Sequence, residues 1–242
     1  MAISPSGIIG SLRVLGAMAR VTGPTLIDIA RDHLERNTVD ERARWFGRRV
    51  IDVLDIELTA TGIDRVPPGR AYVYMSNHQS HLDIPMLYAT LPSPTIRMLG
   101  KKELFDIPLW GRGLRAAEFI SVDRSNHDAA MKSIDYAARL VRDGVSIYLA
   151  PEGTRSHDGS IGKLKKGGFH LALGTEAPIV PVAISGTIDI LPRGGKVMRT
   201  GVPVKVAIGS PIPVEGRDLE GLMAEVRDFL VKNVETHRSE PT

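Results

Sequence analysis

The chain holds 242 residues, 43% of them hydrophobic and 24% charged, a balance that suits one α/β domain, alone or with a small appendage, and excludes a disordered chain. Only 24 glycines exclude a collagen-like repeat, and the absence of cysteine removes disulfides, thiolate zinc ligands, iron–sulfur clusters and any acyl-cysteine intermediate. With 31 basic against 28 acidic residues the net charge is +3, too small to argue for nucleic acid, so where the charges sit matters more than their sum.

In chain order, residues 6–22 read as a helix on which Ile8, Leu12, Leu15 and Ala19 share one side while Arg13, Gly16 and Arg20 share another. Arg13 and Arg20 interrupt the apolar region, so a spanning helix of about 20 apolar residues is not expected. Nor is a cleaved signal expected at Ala17-Met18-Ala19, because no basic residue precedes the apolar stretch. Arg42, Arg44, Arg48 and Arg49 then surround Trp45 and Phe46, a mixture that suits a bilayer surface. Residues 1–55 are therefore expected to be a helical segment, either membrane-interfacial or simply packed on the domain that follows.

From residue 56 strands and helices alternate. Strands are expected at 56–61, 71–75, 95–99, 118–122, 145–149, 179–184 and 202–208. Helices are expected from Asp83 to before Pro92, irregularly around Pro108 to Gly113, at 127–142 with Gly144 as its stop, at 167–175, and at 219–229. Such alternation implies βαβ units, hence an α/β domain over 56–242 with a largely parallel sheet flanked by helices.

Function in such sheets gathers on loops leaving the carboxyl ends of strands. The first polar loop reads Ser76-Asn77-His78-Gln79-Ser80-His81-Leu82-Asp83. Five residues turn about 140° on a helix, so His78 and Asp83 meet only if the first sits on the loop and the second opens the helix. A carboxylate on one ring nitrogen would fix the tautomer and leave the other as a base near its working pH; alternatively Asp83 merely caps its helix. His78 with His81 suggests a metal, but no third ligand falls in a known pattern. The remaining histidines (His33, His127, His157, His170 and His237) are unclustered.

The second loop runs from Lys101 through Gly111 to Asp123-Arg124, and the third reads Ala150-Pro151-Glu152-Gly153-Thr154-Arg155-Ser156. Gly153 allows a tight backbone path, and Arg155, followed by Lys163, Lys165 and Lys166, offers donors suited to phosphate or carboxylate. These cations mark either an anion site or a solvated face. Gly111-Arg112-Gly113-Leu114-Arg115-Ala116 loosely fits a dinucleotide fingerprint but follows no clear strand, and neither a Gly-x-Ser-x-Gly elbow nor a Walker A motif occurs.

Taken together, Asn77-His78 with Asp83, Lys101-Lys102-Glu103-Leu104 with Pro108 and Gly111, Pro151-Glu152-Gly153-Thr154-Arg155-Ser156, and Val180-Pro181-Val182 resemble, in order and spacing, the four blocks of the glycerolipid (lysophospholipid) acyltransferase family. The resemblance covers roughly residues 56–210; Ala150 departs from it, standing where the family generally has Phe. It implies O-acyl transfer from an acyl thioester, acyl-CoA or acyl-carrier protein, to the free hydroxyl of a lysophospholipid, with 1-acylglycerol-3-phosphate favoured. His78 and Asp83 would be catalytic, and Arg124, Glu152, Gly153, Thr154, Arg155 and Lys101 would bind substrate. It implies no metal or bound organic cofactor and no nucleic acid, and a peripheral or monotopic seat on the cytoplasmic face of a membrane. Another lysolipid or amine-linked acceptor, or a non-catalytic lipid-binding module, is the alternative.

Overall fold

The computed structural model describes residues 5–123 and 126–235, so Arg124 and His237 lie outside the described residues. Two long helices open the chain, α1 (Pro5–Ala30) and α2 (Arg36–Leu54). Helix α1 extends past residue 22 and carries Pro24 within it. Its inward face is made of small residues, Gly7, Gly10, Val14 and Ala17, whereas Ile8, Leu12 and Leu15 point outward. Helix α2 buries Val39, Val50, Val53 and Leu54.

The strands are β1 (Glu57–Thr61), β2 (Val73–Ser76), β3 (Ile96–Lys101), β4 (Ile120–Val122), β5 (Ser146–Leu149), β6 (Ile179–Ser185) and β7 (Pro203–Ile208). They form a seven-stranded sheet in the order β1-β7-β6-β2-β5-β3-β4. Every pairing is parallel except β6 with β7. The largely parallel α/β sheet expected from the alternation is what forms. Strand β2 sits near the middle and all four of its residues are buried, which explains why its sequence is apolar without alternation.

Period-two geometry sends neighbours on each strand to opposite layers. Tyr72, Tyr74, Val180, Val182, Val204 and Val206 join a core with α2 and with α3 (Asp83–Thr90), where Met86 and Leu87 are fully buried. Val73, Met75, Ile147 and Leu149 join a second core on the other face, under α6 (His127–Arg142), α7 (Gly167–Thr175) and α9 (Leu219–Asn233). Each fully buried Leu, Ile, Val or Phe here contributes roughly 1.5–3 kcal/mol against chain entropy. Short helices α4 (Lys102–Phe105), α5 (Trp110–Ala116) and α8 (Thr187–Ile190) complete the chain; the last was not expected from the sequence.

Two features lock α2 onto the body. A Cβ at Gly47 would stand 2.6 Å from the Pro85 carbonyl oxygen, so only glycine lets α2 cross α3 this closely. Arg97, on β3 and fully buried, donates from Nη1 to Asp40 Oδ1 on α2 at 2.5 Å, and Thr95 Oγ1 donates to Asp40 Oδ2 at 2.7 Å. Glu118 closes the network, accepting both donors of Arg36 at 2.8 and 2.6 Å and facing Arg97 Nη2 at 3.4 Å. The hydrogen bonds from Arg36 hold the Glu118 carboxyl below its ordinary range. Glu118 therefore lies ahead of β4, at φ 63°, rather than in the strand expected over 118–122.

Candidate active site

The strand order places three parallel neighbours, β5, β2 and β6, side by side with their carboxyl ends at one edge. From β2 comes the loop bearing His78, from β5 the loop bearing Glu152 to Arg155, and from β6 the turn into α8. Asn77 extends the β2 ladder with its side chain: Nδ2 donates to the Ile184 carbonyl and Oδ1 accepts from the Ile184 amide, both at 2.8 Å. An amide side chain thus does what a further strand residue would do, and fixes where His78 leaves the sheet.

His78 Nδ1 lies 2.7 Å from Asp83 Oδ2. The carboxylate is completely buried while the imidazole keeps 21% of its side-chain surface exposed. Asp83 Oδ2 also accepts the amides of Gln79 and Ser80 at 2.9 and 3.1 Å, so the carboxylate is acceptor to all three and Nδ1 carries the proton. Asp83 therefore orients the ring and fixes the loop ahead of α3, while the helix-capping reading left open by the sequence does not hold, since Leu82 is the N-cap and no side-chain cap hydrogen bond forms. The tautomer leaves the lone pair of Nε2 on the outer edge of the ring, free to take a proton.

Thr187, fully buried at the start of α8, donates to Asp83 Oδ1 at 2.5 Å. Nothing in the sequence pointed to it, because the contact spans 104 residues and exists only because β6 lies beside β2. With Thr187 in place both carboxylate oxygens are hydrogen-bonded, which offsets the cost of burying the charge.

Glu152 is a clamp between two loops. Its Oε1 accepts the His78 amide at 2.9 Å and its Oε2 the Gly162 amide at 2.6 Å. Burial raises its carboxyl above the ordinary range in spite of these two amides. The Ser156 amide donates back to the His78 carbonyl at 2.7 Å, so the β2 and β5 loops are bolted together on both sides of His78. Gly153 has φ 71°, a conformation glycine adopts without strain, and the end of the Lys165 side chain lies over it, 3.1 Å from where a Cβ would be.

Arg155 is half-buried and Thr154 is exposed on the rim. Loss of hydration pushes the His81 imidazole below its ordinary range, and the Arg155 charge, ahead of that of His78, pushes it the same way. Arg155 precedes Ser156, whose amide bonds the His78 carbonyl, so its backbone adjoins the loop that carries the pair. Lys101 is on the same edge but at the end of β3, with β5 between it and β2, roughly 10 Å away by strand spacing, and it is ion-paired with Glu103 at 2.8 Å. The structure thus brings His78, Asp83, Glu152, Gly153 and Arg155 together, adds Thr187 and Lys165, and leaves Lys101 at a distance. Among the described residues no cluster of three His, Asp or Glu is arranged to hold a metal.

An imidazole held by a buried carboxylate and open on its far nitrogen, with Arg155 and Lys165 on the adjoining loop, can act as a base toward a substrate that carries an anion. Comparisons with known proteins supply the family. The acyltransferase family model matches residues 57–185, and the chain belongs to this family. It is 32% identical over 174 residues to the chloroplastic 1-acyl-sn-glycerol-3-phosphate acyltransferase of Brassica napus, covering 72% of this chain and 49% of that one. To the human 1-acyl-sn-glycerol-3-phosphate acyltransferase alpha it is 33% identical over 180 residues, covering 73% of this chain and 63% of the relative. The chain thus spans between about half and under two thirds of these relatives' lengths. The crystal structure of the 1-acyl-sn-glycerophosphate acyltransferase from Thermotoga maritima superposes with a TM-score of 0.80 at 25% identity, over 93% of both chains.

Proposed function

We propose that the chain transfers a fatty acyl group from an acyl thioester to the free hydroxyl of a lysophospholipid, with 1-acylglycerol-3-phosphate as acceptor and phosphatidic acid as product. The observation that carries this reading is the 2.7 Å contact between His78 Nδ1 and the buried Asp83, which leaves Nε2 available as base. In this mechanism Nε2 takes the acceptor hydroxyl proton as the oxygen attacks the thioester carbonyl carbon. The tetrahedral oxyanion collapses, the carbon–sulfur bond breaks, and the imidazolium returns the proton to the departing thiolate. Asp83 stabilises the imidazolium in between. No acyl-enzyme forms, in keeping with a chain that has no cysteine and no nucleophile elbow.

Arg155 and Arg124 hold the acceptor phosphate, with Lys165 beside Gly153 and Lys101 further along the edge adding to the positive field. Glu152, Gly153 and Thr154 shape the acceptor pocket, Glu152 by fixing both loops that form it. The donor is acyl-CoA or an acyl-carrier protein. Residues 56–242 form the catalytic domain on this reading, and residues 1–55 rest on the cytoplasmic face of a bilayer through the outward side chains of α1. On this reading the seat is peripheral or monotopic; no described helix is long and apolar enough to cross a membrane.

His78→Ala tests the chemistry. Thiol release from acyl-CoA with lysophosphatidic acid as acceptor should fall by about two to four orders of magnitude, the usual worth of a general base, with the melting temperature unchanged. A folded variant that turns over within tenfold of the unaltered protein overturns the assignment. Parallel assays with other lysolipids and an amine-linked lipid measure the acceptor preference.

A further inference from the structure

The groove between α1 and α2 is separate from the catalytic edge. It is a shallow, open depression of about 510 Å³ between Arg13, Arg20, Trp45, Arg49 and Asp52, and continues along α2 past Arg48 into a second open hollow of about 330 Å³ that shares Trp45, Arg49 and Asp52. Four arginines thus face one carboxylate. The basic cluster around Trp45 divides in the structure. Arg42 turns inward to Asp28 at 2.6 Å and to Thr25, and Arg44 to the carbonyls of Leu91, Ser93 and Pro94. Arg13, Arg20, Arg48 and Arg49 form no ion pair among the described residues. The Arg20 guanidinium instead lies over the Trp45 ring, 5.6 Å from its centroid, which holds the fork in place without using its donors.

What borders the groove says what fills it. Arg13 and Arg20 are two helical turns apart on one face of α1, with Gly16 between them. Round the same helix, Leu12 lies about 75° and Leu15 about 135° from that face; they are 62% and 58% exposed, and Ile8 is 46% exposed. An apolar strip beside a row of guanidinium groups and an interfacial tryptophan matches the cross-section of a bilayer surface, with acyl chains at the strip and phosphates at the row. Guanidinium forks bind phosphate oxygens two at a time. We infer that this groove binds the phosphate of an anionic phospholipid in the membrane on which the enzyme sits, a second anion site distinct from the one beside His78. The inference rests on the bilayer-facing reading of α1 given above and adds a ligand to it.

The test is flotation of the full-length protein with phosphatidylcholine vesicles, plain or doped with phosphatidylglycerol. The protein should bind both and prefer the doped ones. Arg13→Gln with Arg49→Gln, both at exposed side chains, should weaken binding to doped vesicles about 30-fold and leave binding to plain vesicles unchanged. Arg142→Gln with Lys232→Gln removes the same charge from helices on the opposite face of the sheet and should change neither. In a Trp110→Phe background, Trp45 emission should shift to the blue with doped vesicles and stay put with inorganic phosphate at matched ionic strength. Equal weakening by the two double variants would reduce the effect to overall charge and overturn the site. A response of Trp45 to inorganic phosphate alone would overturn the lipid assignment, as would capture of an acidic protein with no vesicle preference. Binding to plain vesicles without a doped increment sinks the groove but spares the bilayer reading; no flotation sinks both. His78→Ala should float normally, so failure of the catalytic reading shows separately.

Discussion

The catalytic edge and the α1–α2 pair handle charge in opposite ways. At the edge, Asp83 has three partners on one oxygen and Thr187 on the other, and both oxygens of Glu152 are taken by amides. On the helical pair, Arg13, Arg20, Arg48 and Arg49 form no ion pair among the described residues, while leucines on α1 face outward. A base must be held still before its substrate arrives, so its surroundings are completed internally. A surface meant for something external leaves its own groups uncommitted. The buried Asp40–Arg97–Glu118 network is the boundary between the two: it is buried like the first, but only Nη1 of Arg97 is hydrogen-bonded, Nε and Nη2 having no such partner.

That boundary offers the largest effect. Asp40→Ala leaves the fully buried Arg97 guanidinium without its shortest partner, and loss of one member of a buried pair costs about 3–5 kcal/mol. Urea unfolding should show it; a loss under ~1 kcal/mol would mean that α2 is held by the Gly47 crossing alone.

The contrast sharpens at Thr187. Thr187→Val keeps the volume but strips one donor from Asp83, so kcat should fall about tenfold with KM little changed, a loss equivalent to one hydrogen bond to a charged group. Thr187→Ser, which keeps the hydroxyl donor, should restore kcat. A purely structural role would lower the melting temperature and leave kcat of the folded variant unchanged.

The smallest effect concerns Glu152. Because burial raises its carboxyl in the folded protein, the folded state holds more protons than the unfolded chain just above the ordinary Glu range of about 4.3. Stability contributed by this group therefore falls as pH rises through that window. Glu152→Gln should flatten the slope of urea midpoint against pH there; an unchanged slope would mean that other groups set it.

How much was legible in the sequence follows from the range of each contact. His78 and Asp83 are five residues apart and meet across one strand-to-helix junction, so spacing allowed the pair without selecting it, and the four-block family resemblance pointed to it. The parallel sheet followed from alternation, since each βαβ step is local. Thr187 and the clamp at Gly162 were not legible, because they depend on which strands become neighbours, and strand order is a global property. The periodicity of α1 was legible but its polarity was not. The apolar stripe left a membrane-interfacial and a domain-packed side equally open, and the buried face is made by Gly7, Gly10, Val14 and Ala17, because small side chains let two helices approach closely. Lys101, singled out by motif, is two strands from the pair, whereas Lys165, one of several lysines in a loop, folds back over Gly153.

The excursion between β6 and β7 has a mechanical meaning. It begins with Thr187 on Asp83, is caught again where Ser80 Oγ donates to the Leu191 carbonyl at 2.8 Å, and reaches α1 where the Met198 amide donates to Ser11 Oγ at 3.0 Å. One short run of backbone therefore ties the outermost helix to the innermost carboxylate. The contact that anchors α1 and the contact that completes Asp83 thus belong to the same loop, 11 residues apart in the chain between Thr187 and Met198.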